Sequence, residues 1–331
     1  MASRMTAAAR LAAGLLLAAL CAQASAQPRP DPAWPKTLTL GTASAGGTYV
    51  IYGRAWADLV NSRLGTRIAV QQTQGPNQNI ELTDARITDF GMTTMGVAQQ
   101  AWTGKGEWTR GKSFRNIRAT FPMYNTPFHF IALEKSGIRS LKDLHGRKAG
   151  VGPRSGTCGT YFPLIFKALA IDVTIRNGPA ADMAANLQDG LIEAFPFCAG
   201  VPVAAYQELE SVNRVRFFTF NKSEIQRIKS VLPELSDAVI PKGSYRQLQE
   251  DQATVGVFNF ALAHKDLPED LVYQVVKTVM ENNAELAKAH LAAKETVLEN
   301  WKRNTVVPFH PGALRYLKER GISVPAALLP S

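Results

Sequence analysis

The stretch Thr37-Leu38-Thr39-Leu40-Gly41-Thr42-Ala43-Ser44-Ala45-Gly46-Gly47-Thr48-Tyr49 decides how the chain is read. Residues 37–41 alternate threonine and leucine with the period of two that a strand needs. The next five turn the chain into a helix, on which Ile51, Ala55, Leu59 and Val60 fall on one face. Strand, glycine loop and helix start are the repeating unit of an α/β protein. The glycines let backbone approach a ligand, and the free N–H groups and positive end of the helix attract an anion. By itself the loop reads equally well as a tight turn.

The alternation continues with a strand at 68–72, a helix around 79–86 and a short apolar strand at 90–93. A strand is expected at 128–134, a short helix at SLKDLHG (140–146) and a strand at 147–152. The loop Gly152-Pro153-Arg154-Ser155-Gly156-Thr157-Cys158 then leads into a helix with Phe162, Ile165, Phe166 and Leu169 on one side. Helices at 180–187 and 202–209 alternate with strands at 192–197 and 215–220. Residues 236–245 (SDAVIPKGSY) read as irregular, 254–263 as one long strand, and 268–304 as almost wholly helical. A last helix follows His310-Pro311-Gly312. The strands at 128–134 and 254–263 bracket a self-contained block. They predict a discontinuous two-domain protein, with 36–128 and 257–331 forming lobe I and 129–256 forming lobe II.

Composition agrees with this class. The 331 residues are 46% hydrophobic and 19% charged, with 25 Gly and 19 Pro, which excludes a disordered chain, a collagen-like repeat and a coiled coil. Arg4 and Arg10 precede an apolar run at 11–20, and Ala24-Ser25-Ala26 stands before Gln27. This is the pattern of a secretory signal peptide (1–26) cleaved after Ala26, which predicts the periplasm. The run is too short for a membrane anchor. Residues 27–35 (QPRPDPAWP) hold four prolines and read as an extended linker. Loss of the two leader arginines lowers the net charge from +10 to +8. That excess favours anionic small molecules. The basic residues are scattered instead of clustered among aromatics, so no nucleic acid is expected.

Cys21 leaves with the leader, so Cys158 and Cys198 remain in an oxidising compartment, as either a disulfide or two buried thiols. Two further segments sit where a ligand could be met. Gln74-Gly75-Pro76-Asn77-Gln78-Asn79 follows a strand, and its amides either cap a helix or reach a cleft. Phe195-Pro196-Phe197-Cys198-Ala199-Gly200 ends a strand, and its aromatics form either a pocket floor or core. Arg154 is either a surface arginine or a planar fork for a carboxylate.

The five histidines are dispersed, without HExxH spacing or a Cys/His cluster, so no metal and no cofactor are expected. There is no GxSxG elbow, and Ser155 has no evident partner base. A catalytic set is therefore not assigned, and the chain reads as a non-enzyme. Neither glycine loop ends in the Gly-Lys-Ser/Thr of a phosphate loop.

Taken together, LGTASAGGTY, GPNQNI, SLKDLHGRKAGVGPRSGT, DGLIEAFPFCAGVP and FHPGALRYLKERG resemble, in order from about 36 to 321, the TAXI family. These are solute-binding receptors of tripartite ATP-independent periplasmic (TRAP) transporters. The resemblance implies a type II periplasmic-binding-protein fold, two α/β lobes joined by crossing hinge strands with a ligand cleft between them. It also implies closure on one solute and delivery to a TRAP permease; a monomer is expected. Carried over, the GGTY loop falls on Gly46, Gly47, Thr48 and Tyr49, the family asparagine on Asn79 and the GSGT loop on Arg154, Ser155, Gly156 and Thr157. Arg154 replaces a glycine, and Thr94-Met95-Gly96 stands where relatives are more polar. The expected ligand is a carboxylate: a glutamate-like amino acid, a dicarboxylate or one with a more apolar body. Its expected contacts are Gly47, Thr48, Tyr49, Asn77, Asn79, Thr94, Arg154, Ser155, Gly156, Thr157, Phe197 and Gly200. A receptor for an ABC importer or a sensor, and a periplasmic enzyme on the same fold, are the alternatives.

Overall fold

The computed structural model describes residues 30–330, so the predicted leader lies outside the described residues, as does the start of the proline-rich linker. In chain order the elements begin with β1 (Leu38–Gly41), α1 (Thr48–Leu64), β2 (Ile68–Gln71), α2 (Pro76–Asp84), β3 (Phe90–Thr94) and α3 (Met95–Thr103). Next come β4 (Ile117–Leu133), β5 (Arg147–Gly150), α4 (Thr157–Ala168), β6 (Val173–Arg176), α5 (Ala180–Gln188) and β7 (Phe195–Cys198). They are followed by α6 (Ala204–Val212), β8 (Val215–Phe218), α7 (Lys222–Val231), β9 (Ser236–Ile240) and β10 (Gln252–His264). Three helices close the chain: α8 (Glu269–Glu281), α9 (Asn283–Ala289) and α10 (Pro311–Glu319).

Two strands organise everything else. β4 and β10 pair antiparallel along 117–127 and 256–264. β10 extends this pairing to β3, and β3 to the parallel pair β1 and β2. Beyond residue 127, β4 changes partners and pairs with β7 and β8, while the first half of β10 pairs with β9. Each long strand therefore begins in one α/β block and ends in the other. The parallel pair β5 and β6 joins the second block through a bridge between Ala149 and Ala194.

Pro122, Asn125 and Pro127 hide the first half of β4 in the sequence, where only 128–134 reads as strand. Pro122 stands opposite Phe260, where the register with β10 is irregular, and a residue without an N–H is tolerated there. The expected irregular segment at 236–245 opens instead as β9, held by five residues of β10. The span 268–304, expected to be almost wholly helical, is built of α8, α9 and, after Ala289, 3-10 turns at Leu291–Glu295 and Leu298–Arg303. The buried face of α1 is turned from the expected one. Tyr52, Trp56, Leu59 and Val60 are buried, and Ile51 and Ala55 are half-buried. The aromatics take the core positions because Trp56 meets Phe90 and Phe121 edge-on, at centroid distances of 5.7 and 5.8 Å. Such pairs add roughly 0.5–1.5 kcal/mol each beyond area burial. A second aromatic cluster, Phe128, Phe130, Phe162, Phe195, Tyr206 and Tyr245, fills the other block.

Candidate functional site

Three helices start where the two blocks face one another, and all three start on glycine. α1 is capped by Gly47, α2 by Gly75 and α4 by Gly156, with no side-chain cap and no acid in the first turn. Helix α7, on the outside, carries a full capping box between Asn221 and Glu224, and α8 has Glu269 and Asp270 in its first turn. The three helix starts at the junction thus have neither a side-chain cap nor an acid to offset their positive ends. Gly75 has φ +123°, open only to glycine, and a Cβ there would lie 3.1 Å from the Cα of Gly156. The two loops meet backbone to backbone.

Between them lies a cavity of about 40 Å3. Of the predicted contacts, Gly47, Thr48, Tyr49, Gly156, Thr157 and Phe197 line it, as do Cys158 and Cys198. Cys158 and Cys198 are joined as a disulfide that forms part of the wall. Ser44, Gln74, Gly75 and Pro76, which the sequence places in candidate loops without naming them as contacts, also line the cavity, as do Thr126 and Val151, which sequence reasoning passed over. Glycine before a proline at the first helical position was a usable signal for the second loop. Thr126 gave none, since it sits between Asn125 and Pro127.

The N–H groups of Thr48, Tyr49, Thr157 and Cys158 find no hydrogen-bond partner among the described residues. All four residues are buried, and two come from each facing helix. Buried backbone donors without partners are rare in folded proteins, because each forfeits its hydration for nothing. All four residues line one cavity, with the positive ends of α1 and α4 behind them, a cradle of donors whose chemistry suits an anion.

Side chains brace the cradle. Thr48 Oγ1 donates to the carbonyl of Gly200 at 2.6 Å, which is how Gly200 takes part. Tyr49 donates its hydroxyl to Asn259 Oδ1 at 2.6 Å, and Asn259 Nδ2 donates to Thr126 Oγ1 at 2.7 Å. Burial holds the Tyr49 phenol well above its ordinary pKa, so it stays a donor. Asn79 faces away from the cavity: its amide donates to the carbonyls of Thr42 and Met92 at 2.7 and 2.8 Å, and Thr73 donates to its Oδ1. Asn77 clasps the two blocks together, donating from its backbone to the carbonyl of Ser155 at 3.3 Å and from Nδ2 to Thr160 Oγ1 at 3.1 Å. Thr94 is buried, and its hydroxyl has no partner among the described residues. Arg154 and Ser155 lie outside the cavity, on a groove between α2, the 105–114 loop and α4, and Arg154 also lines a second groove beside α5. No group of three His, Cys, Asp or Glu side chains placed for a metal occurs among the described residues.

The sequence model of the NMT1-like family matches residues 40–321. The periplasmic binding protein BugD superposes with a TM-score of 0.56 at 13% identity, covering 89% of this chain and 98% of BugD. MatC from Rhodopseudomonas palustris, solved with bound malate, gives 0.55 at 13% identity, covering 88% and 97%. A putative L-cystine ABC transporter protein from Listeria monocytogenes gives 0.50 at 14%, covering 79% and 98%. The fold is the type II periplasmic-binding-protein fold, two α/β lobes joined by crossing strands.

Proposed function

The chain belongs to the NMT1-like family, and from that premise we propose that it is a periplasmic solute receptor that captures an organic anion between its lobes and delivers it to a membrane permease. The observation that carries this reading is the set of four buried, unpartnered N–H groups from Thr48, Tyr49, Thr157 and Cys158 around one cavity. A carboxylate supplies the lone pairs those donors lack. Lobe I comprises 36–128 and 257–331, and lobe II comprises 129–256. The lobes part at β4 and β10 to admit the solute and close on it, with the Asn77 clasp forming on closure. Residues 1–26 direct export and are cleaved after Ala26. The permease is of the TRAP type, which the five motifs resembling TAXI receptors support, and the ligand is a carboxylate. An ABC importer is the second reading, since the putative L-cystine ABC transporter protein from Listeria monocytogenes shares the fold.

The test is a thermal-shift screen of residues 27–331 against mono- and dicarboxylates, amino acids and sugars. A ligand present at 100 times its dissociation constant stabilises by about 2.7 kcal/mol, several degrees for a chain of this size. A shift confined to carboxylates supports the receptor reading, and a shift only with uncharged solutes overturns it. Uptake in reconstituted vesicles driven by an ion gradient, and not by ATP, assigns the permease to the TRAP class.

A further inference from the structure

Resting on the anion cradle above, we infer that the site takes carboxylic acids that lack an α-ammonium group and rejects the corresponding amino acids. The lining residues include no Asp, Glu or His. Acids line the neighbouring grooves instead: Asp182 on α5, Glu81 and Glu107 along the groove that also holds Arg154, and Glu234 in the groove at the start of α3. Asp182 is exposed.

An α-ammonium sits two bonds from its carboxylate carbon, so a carboxylate held by the N–H groups of α1 and α4 carries its ammonium into the same cavity. There it would face the positive ends of two helices. It would lose its water without gaining a counter-charge, and burying an unpaired ammonium is among the least favourable transfers a protein makes. Three neutral acceptors nearby are already engaged, and a neutral acceptor does not replace a counter-charge. Thr126 Oγ1 accepts from Asn259 Nδ2, the Gly200 carbonyl from Thr48, and Ser44 Oγ from the backbone of Ala180. The remaining lining side chains carry no charge: Gln74 and Thr157 are polar, and Ala43, Pro76, Val151, Pro153, Phe197 and the disulfide are apolar. A 2-oxo or 2-hydroxy substituent meets none of these objections, because it adds no charge and its oxygen accepts from the same donors.

The experiment is isothermal titration of residues 27–331, stripped of carried-over solute by unfolding and refolding, with three matched pairs: pyruvate and alanine, 4-methyl-2-oxopentanoate and leucine, 2-oxoglutarate and glutamate. The expected result is that in every pair that binds, the oxo acid binds at least about 100-fold more tightly than the amino acid. An amino acid that binds within tenfold of its oxo acid, or more tightly, overturns this inference and leaves the anion-receptor reading standing. Absence of binding by all six, with no carboxylate shifting the thermal transition, overturns the receptor reading as well.

Discussion

Tyr49 in the first turn of α1 donates its hydroxyl to Oδ1 of Asn259 on β10, at 2.6 Å. The bond joins the cavity wall to the crossing strand at the point where β10 is irregular against β4. Asn259 is fully buried and its Oδ1 has no other donor among the described residues, while its Nδ2 serves the Tyr124 carbonyl and Thr126 Oγ1. Removing the hydroxyl strands a buried acceptor. Tyr49→Phe is therefore expected to lower stability by about 1–3 kcal/mol in urea unfolding. It should also weaken ligand binding, because the N–H of residue 49 is one of the cradle donors. An unfolding midpoint equal to that of the wild type would show that the bond contributes nothing to the folded state.

How much of this was legible depends on which signals are local. The βα loops at Gly46–Gly47 and Gly156 were legible because an alternating or apolar strand, a glycine and an amphipathic run are neighbours in sequence. The first half of β4 was not, since Pro122, Asn125 and Pro127 are locally turn residues and only the partner strand makes them a strand. Helix α3 follows β3 without any intervening turn residue, Thr94 closing the strand and Met95 opening the helix, so no punctuation marked it. Among the site residues, the sequence places Asn79 next to a cleft loop but cannot say which way its amide turns. The choice is made by the carbonyls of Thr42 and Met92, which a strand end and a loop bring together from 37 and 13 residues away. Thr126 reaches the cavity through the same kind of long-range decision.

Gly96, the second residue of α3, marks where the lobes come into contact on the far side of the cleft. A Cβ there would overlap the Tyr161 hydroxyl and lie 2.8 Å from Cγ of Glu234. Tyr161 also donates to Glu234 Oε1 at 3.2 Å, so neither side chain is idle. Gly96→Leu should leave each lobe folded while keeping them apart. The expected outcome is an enlarged radius of gyration in small-angle scattering that added ligand does not reduce, and affinity lower by at least about tenfold. Full compaction on ligand addition would show that this contact does not limit closure.

The disulfide between Cys158 and Cys198 ties the second residue of α4 to the end of β7, both on the cavity wall. With its ends 40 positions apart in sequence it should contribute on the order of 3–4 kcal/mol in the chain-entropy account. Thiol titration of denatured, unreduced residues 27–331 is expected to find no free thiol, and two after reduction. The Cys158→Ser, Cys198→Ser double variant should lose stability of that order in urea. Two free thiols in the unreduced protein would remove the disulfide from the cavity wall.

His129 contributes to the acid sensitivity of the fold. It is fully buried on β4, with Nε2 against the Tyr245 hydroxyl at 2.8 Å and Nδ1 against the Pro127 carbonyl at 3.2 Å. Burial lowers its pKa from 6.5 to about 4, and burial lowers that of His310 to about 4 as well. Between pH 6.5 and 4 the unfolded chain therefore binds protons at these two positions that the native protein refuses. Stability falls as the pH drops through that window, by up to about 1.4 kcal/mol per pH unit for each histidine, and is unaffected by either above pH 7. Most carboxylates titrate below pH 5, so the interval from 6.5 to 5 isolates the histidines. His264 and His290 are lowered by burial too, so urea unfolding at pH 7.0, 6.0 and 5.0 should show a decline in the wild type that His129→Gln reduces in part, the amide replacing the ring without acquiring a charge. An identical decline in the variant would assign the acid sensitivity to other groups.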